Sequence, residues 1–329
     1  MSFWVSVVTP VYNAAEYLRG SVESALQLPE VHEVILAEDG SLDNSLAVCE
    51  ALVQEHPDRV RLFRHPNGEN RGAGLSRNLA IQQARSPFIA FLDSDDLYLP
   101  NRFEQDKAIL LSQPAIDGVY NALGVHFHTP AGQQWWESSN DRPPSLTRMN
   151  SDVHPDELFF NVSPLGRQGH FSVDTLTVRR QVFERIQFSA LRLSQDTLFI
   201  MQLTALFRLA SGNRLTPVAL RGVHGHNRIQ DVAGRRAAIE LIFMEIFAWL
   251  KKEPLTRRQR YALYEAYLRR QHSWAGIQKV LRRCPTLLFN RKYTKHILLR
   301  ALFRVDPTEP IVPAFFPKWR TRTPHEQPK

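Results

Sequence analysis

The stretch Phe88–Ile89–Ala90–Phe91–Leu92–Asp93–Ser94–Asp95–Asp96 decides the fold. Its five uninterrupted apolar residues read as a strand buried on both faces, the kind found in parallel sheets covered by helices. The strand runs straight into three carboxylates within four residues. Such a position, at a strand's carboxyl end, is where open α/β sheets bind ligands. Working outward toward the N-terminus, the plan repeats. Val5–Ser6–Val7–Val8–Thr9 is a strand stopped by Pro10, Val34–Ala37 runs into Glu38–Asp39–Gly40–Ser41, and Val60–Phe63 is a further strand. Between them, Leu18, Val22, Ala25 and Leu26 have helical spacing over 16–26. Asp43 or Asn44 can cap a helix through Val53, and a helix over about 74–84 follows the loop Asn67–Gly72. Strand–helix alternation of this kind predicts an α/β domain with a mostly parallel central sheet and helices on both faces.

Toward the C-terminus the pattern loosens. Thr129 to Pro155, rich in Pro, Ser, Asn and Trp, reads as a long loop or insertion. Thr175–Val178 reads as a strand, Gln181–Ile186 as a short helix and Asp196–Ala210 as an amphipathic helix. Beyond about Arg235 the reading is helical throughout, over Ala237–Lys251, Arg257–Arg270, Gly276–Arg283 and Lys292–Phe303, before a Pro-rich tail. The expected organisation is an α/β domain over 1–234 and a basic helical extension over 235–329.

Composition bounds the function. Of the net charge of +8, residues 251–329 hold 19 Lys/Arg against 5 Asp/Glu, so the preceding body is mildly acidic. A hydrophobic content of 43% supports a large core and argues against wholesale disorder. Two cysteines, Cys49 and Cys284, cannot build a disulfide framework and fit a reducing cytosol. Met1–Val5 carries no basic n-region, so a secretory leader is not expected. The most apolar segment, Ala237–Leu250, is too short for a span and holds Glu240 and Glu245. The basic C-terminal part carries no nucleic-acid motif, and nucleic acid is not expected as a partner.

Clustered carboxylates such as Asp93, Asp95 and Asp96 repel one another unless a cation or hydrogen bonds compensate, and oxygen ligands suit Mg²⁺ or Mn²⁺. Asp39 also ends a strand, where an acceptor could take a ring N–H of a base. Asn70–Arg71–Gly72 and Ser76–Arg77–Asn78 set basic groups beside a helix start, favourable for a diphosphate.

Taken together these motifs resemble family 2 glycosyltransferases, the large inverting family with the GT-A fold. The resemblance rests on Val7–Asn13, on Glu38–Ser45, on Asn70–Gly72 with Ser76–Asn78, and on Phe91–Asp96, all in the family's order. It is close over residues 5 to about 105 and looser to about 230. It implies a nucleotide sugar, with a lean to a UDP-sugar, as the donor. Pro10, Tyr12 and Asn13 would line the base and ribose pocket, Asp39 would face the base, Arg77 would approach the diphosphate or the Asp cluster, Asp93 would touch ribose or sugar, and Asp95 would hold Mn²⁺ or Mg²⁺. Glu38 stands where the family usually has Asp. The family's Glu-Asp motif matches Gln195–Asp196, which makes Asp196 the expected general base. In Val223–His224–Gly225–His226, either His226 or His224 would complete the metal site or touch diphosphate. The implied acceptor is a hydroxyl of a glycan or lipid-linked molecule, with contacts expected from Gly166–Asp174 and around Trp135–Trp136. Surface polysaccharide or lipopolysaccharide synthesis at the cytoplasmic face of a membrane follows as the expectation, the basic C-terminal part contacting anionic lipid. A sugar nucleotidyltransferase would want a Gly-rich basic loop where Pro10–Asn13 stands. A non-catalytic binding subunit would be expected to lack Asp95 or Asp196.

Overall fold

The computed structural model describes residues 2–140, 142–225 and 232–270. It opens with β1 (Val5–Val11), α1 (Leu18–Leu26), β2 (Val31–Glu38), α2 (Ser45–Glu55), β3 (Val60–Arg64), α3 (Ala73–Gln83) and β4 (Phe88–Phe91). These are the elements expected from the sequence. There follow β5 (Leu97–Tyr98), α4 (Glu104–Ser112), β6 (Gly118–Tyr120), β7 (Ala122–Phe127), α5 (Pro130–Ser138), α6 (Leu158–Asn161), β8 (Leu176–Arg179), α7 (Gln195–Leu206), β9 (Leu209–Ser211), β10 (Pro217–Val223), α8 (Val232–Trp249) and α9 (Arg257–Arg270).

The main sheet has seven strands in the order β3-β2-β1-β4-β8-β6-β9. Strands β3, β2, β1 and β4 are parallel, and β8 inserts antiparallel between β4 and β6. Both faces are covered, which is why the strands read as continuous apolar runs. Along β1 every residue is buried. Val5 and Val7 join one core with Val34, Leu36, Phe88 and Ala90, while Val8 joins the opposite one with Ile35, Ala37, Ile89 and Phe91. This is the two-residue alternation of a strand with apolar residues on both sides.

A second sheet, β5-β10-β7, pairs β10 parallel to β7 and antiparallel to β5. The Asp93–Asp96 turn leads directly from β4 of the main sheet into β5 of this one.

Three local expectations are corrected. Thr129–Pro155 is not all loop, since α5 occupies its start. Pro130 at the first helical position and the Thr129 Oγ1 cap on Gly132 N (3.1 Å) favour a helix at the start of this Pro-rich stretch. The helix expected over Asp196–Ala210 ends at Leu206, and Leu209–Ser211 joins the main sheet beside β6. Gln181–Ile186 forms a 3₁₀ turn over Arg180–Glu184. The helices expected over Gly276–Arg283 and Lys292–Phe303 lie outside the described residues. The chain divides into compact units Met1–Leu263 and Tyr264–Lys329. The sequence boundary expected at 234/235 falls within α8. No helix among the described residues is long and apolar enough to cross a membrane.

Candidate active site

Two clefts open at the carboxyl ends of β1, β2 and β4. One, of about 610 Å³, is lined by Pro10, Tyr12, Asn13, Asp39, Asp95 and His224 among others. The other, of about 990 Å³, is lined by Arg77, His170, Asp174, Asp196 and Arg221 among others. Asp93, Asp95, Arg192 and Leu193 face both, so they form one continuous site.

The wall of the smaller cleft is a set of interlocked turns. Asn13, in the left-handed region at φ 50°, takes Ser41 Oγ on its N–H (3.1 Å) and accepts from Leu42 N at its Oδ1 (2.8 Å). Gly40, at φ 71°, packs against the Gly68 carbonyl, where a side chain would collide. Glu38, in place of the family's Asp, is buried and uses its extra length. One oxygen accepts from Ser41 N (2.5 Å) while the other reaches Arg64 Nε on β3 (2.8 Å). The interactions hold its carboxyl below the usual range against the cost of burial. Asp39 is also buried and braces the loop before α3, accepting from Arg71 N (2.7 Å) and Gly72 N (2.9 Å). Tyr12 is 46% exposed, an open platform at the rim.

The floor is carboxylate-rich. Arg77, 2% exposed on α3, pairs with Asp93 and feels Asp174 and Asp196 as well. Those charges keep it cationic although burial alone opposes it, and its Nε and Nη1 have no hydrogen-bond partner. Asp174 was not singled out by sequence. It stands alone in Val173–Asp174–Thr175, and only the approach of β8 to β4 brings it beneath the Asp turn. It accepts from Asp93 N (2.9 Å) and Ser172 Oγ (2.6 Å). Burial, then the charge on Asp93, pushes its carboxyl up to about 6, and burial raises Asp96 as well.

Asp93, Asp96 and Asp174 offer oxygens within 4.8 Å of one another, and so could share an ion. Their lone pairs, however, already serve Arg77, Gly222 N (2.9 Å to Asp96 Oδ1), Asp93 N and Ser172 Oγ. Asp95 lines both clefts and pairs with His224. Its Oδ2 stands 3.2 Å from His224 Nε2, the Asp side chain 26% and the His side chain 12% exposed. At metal–ligand distances of about 2.0–2.1 Å, adjacent ligands of an octahedral ion stand about 3 Å apart, so this pair fits a divalent ion facing the donor cleft. His226 lies outside the described residues.

Asp196 sits in the first turn of α7, with Oδ1 accepting from Thr197 N (2.8 Å), and lines the larger cleft together with Asp93 and Asp95. Gln195, replacing the family's Glu, is buried. His170 lines the same cleft. Burial holds its pKa below the ordinary value, its ring bonds the Ser163 backbone, and Nδ1 has no hydrogen-bond partner. Trp135 and Trp136 line neither cleft; Trp136 is buried against Phe127.

Residues 6–162 match the profile of Glycosyl transferase family 2. Over that stretch the chain is similar to glycosyl transferase family 2. Among curated relatives in the family's motif region, it is 37% identical over 105 residues to the minor teichoic acid biosynthesis protein GgaA of Bacillus subtilis, covering 30% of this chain and 23% of that protein. It is 39% identical over 115 residues to the succinoglycan biosynthesis protein ExoU of Rhizobium meliloti, covering 35% of this chain and 32% of that one. The chain thus spans a third or less of the length of these relatives. Residues 1–349 of S. aureus TarS, solved with UDP-GlcNAc, superpose with a TM-score of 0.58 at 17% identity, over 89% of this chain and 83% of that one. A mannosyltransferase from Pyrobaculum calidifontis, solved with GDP-Man and Mn²⁺, gives 0.54 at 15% identity, over 90% and 83%. The fold is therefore that of the GT-A transferases, a mostly parallel sheet between helices.

Proposed function

We propose that the chain is a metal-dependent inverting glycosyltransferase. It takes a nucleotide sugar, UDP-linked by preference, and passes the sugar to a hydroxyl of a glycan or lipid-linked acceptor in surface polysaccharide or lipopolysaccharide synthesis. The observation that carries this is the joining of two clefts across Asp93 and Asp95, with Asp196 in the lining of the larger one. A donor in one cleft and an acceptor in the other would meet there. The glycan-building names of the relatives, and the nucleotide sugars bound by proteins of the same fold, support the substrate class.

In this reading the smaller cleft takes the nucleotide. Tyr12 offers its ring to the base, Pro10 and Asn13 shape the ribose pocket, and Asp39 presents an acceptor at the pocket floor. Asp93, held by Arg77, faces the ribose or sugar. Asp95 and His224 would hold Mn²⁺ or Mg²⁺, with His226 the alternative to His224. Such an ion supplies charge neutralisation at the leaving diphosphate, so that no general acid is required. Asp196 takes the proton from the attacking hydroxyl as its oxygen reaches the anomeric carbon opposite the diphosphate, and the configuration inverts. His170 lines the larger cleft, where the acceptor sits. The enzyme works at the cytoplasmic face of a membrane, its basic C-terminal part against anionic lipid. Most of that part lies outside the described residues.

The test is Asp196→Asn, followed by release of UDP from UDP-sugars and by calorimetric binding of UDP with Mn²⁺. Binding is retained and release falls by about 10²–10⁴-fold. Turnover near the wild-type rate removes Asp196 from its role.

A further inference from the structure

Asp95 lies in a turn, and a turn alone does not aim a carboxylate. The second sheet does. His128 follows β7, and its N–H continues the ladder by donating to Val223 O of β10 (2.9 Å). That register sets the His128 ring beside Gly222, with its Nε2 2.7 Å from the Asp95 carbonyl oxygen. A carbonyl only accepts, so Nε2 carries the proton and donates. Gly222 makes this approach possible. A Cβ there would collide with both the Asp95 oxygen and the His128 ring. The Gly222 N–H meanwhile donates to Asp96 Oδ1 (2.9 Å), fixing the next residue of the same turn. Tyr17 completes the arrangement. Its ring lies 4.5 Å from those of both His128 and His224, nearly parallel to the latter at 22°. His126 stands edge-on to His128 at 4.8 Å. The ring that holds the Asp95 backbone and the ring that faces the Asp95 carboxylate are thus braced on one aromatic side chain.

We infer that His128 is a positioning residue: its Nε2–H fixes the Asp95 backbone against Gly222 so that the Asp95 carboxylate and His224 converge on one divalent ion. This rests on the proposed metal role of Asp95 and His224, and adds a residue that touches neither donor nor ion. Groups that orient metal ligands from behind typically change metal affinity by 10–100-fold when removed. A His to Phe change keeps an aromatic ring against Tyr17 and removes the donor. A Gln amide restores a donor at a similar reach.

The experiment measures Mn²⁺ affinity in the presence of UDP by electron paramagnetic resonance, together with hydrogen exchange of the 93–96 segment in the metal-free protein. The variants are His128→Phe, His128→Gln, Gly222→Ala and Asp95→Asn, in the full chain. The inference predicts a 10–100-fold weaker Mn²⁺ site and faster exchange at 93–96 for His128→Phe and Gly222→Ala. His128→Gln stays within a few-fold of wild type in both. Asp95→Asn loses the Mn²⁺ site. Loss in Asp95→Asn with wild-type affinity and exchange in His128→Phe overturns the clamp and leaves the metal reading standing. Wild-type affinity in Asp95→Asn, or no Mn²⁺ site in the wild type, overturns the metal reading and the inference with it. Equal loss in His128→Phe and His128→Gln also overturns the clamp, because the donor is then not what matters.

Discussion

Replacing Arg77 by Met tests how the acidic floor is held together. The guanidinium is 2% exposed, pairs with Asp93, and lies within the field of Asp174 and Asp196. Methionine fills comparable volume over Phe188, which the guanidinium now faces at 5.3 Å. What is lost is mainly charge. Removing one partner of a buried ion pair costs about 3–5 kcal/mol, because the other is left uncompensated. Asp93 keeps 34% of its side chain exposed, so water takes up part of that burden and the loss at pH 7.5 should lie near the lower end, about 3 kcal/mol. The loss must also depend on pH. Asp174 already holds its proton up to about 6, and Arg77 is one of the groups pulling that value down. Without Arg77, Asp174 stays protonated to higher pH, so at pH 5.5 the floor carries less uncompensated charge. Urea denaturation of metal-free wild type and Arg77→Met at pH 7.5 and 5.5 measures both. The expected result is a loss of about 3 kcal/mol at pH 7.5 and a clearly smaller one at pH 5.5. A loss under 1 kcal/mol at pH 7.5, or one that does not shrink in acid, would refute this account of the floor.

Asp174 itself has a signed pH signature. Its folded pKa, about 6, exceeds the unfolded carboxyl value of about 3.9, so its protonation stabilises the fold below that value and the contribution is lost as pH rises through 6. Metal-free Asp174→Asn should therefore show a flatter stability profile between about pH 4 and 6 than wild type, read as the difference in urea midpoints. Arg102 and Asp106 are both fully buried and paired at 2.7 Å, with Asn121 and Thr177 also bonding Asp106. Asp106→Ala should cost about 3–5 kcal/mol, visible as a large fall in thermal midpoint. Thr129→Ala removes the cap of α5 and should cost about 1 kcal/mol in the same denaturation assay without changing UDP binding.

The sequence was legible where burial was two-sided. Within β1 and β4, and in β2 from Glu33 onward, successive residues are all buried, so the apolar runs stand out and the polar clusters after them mark the ligand edge. The motif residues Pro10, Tyr12, Asn13, Asp39, Arg77, Asp93, Asp95 and Asp196 come together around the joined clefts. Legibility failed where long-range pairing does the work. Strands β5, β6 and β9 are two or three residues long, too short for a periodic signal, yet they complete the sheets. Asp174 and His128 carry no local motif. Asp174 reaches Asp93 across 81 positions of sequence, and His128 reaches Asp95 across 33. Only the register of β8 on β4, and of β7 on β10, brings them there. Asp39 shows a subtler limit. The motif sets it to face a base, and in the structure its oxygens also serve the Arg71 and Gly72 amides. Where an acidic residue lies says little about how many of its lone pairs the fold has already engaged.

In the proposed function Asp95 anchors a divalent ion through which the chain holds a nucleotide diphosphate. Calorimetric titration of UDP, GDP and dTDP into wild type and Asp95→Ala, each with Mn²⁺ and again with chelator, tests it most directly. Wild type should bind in a Mn²⁺-dependent manner, most tightly to UDP, and Asp95→Ala should lose that binding. Equal affinity with Mn²⁺ and with chelator, or wild-type binding by Asp95→Ala, would contradict it.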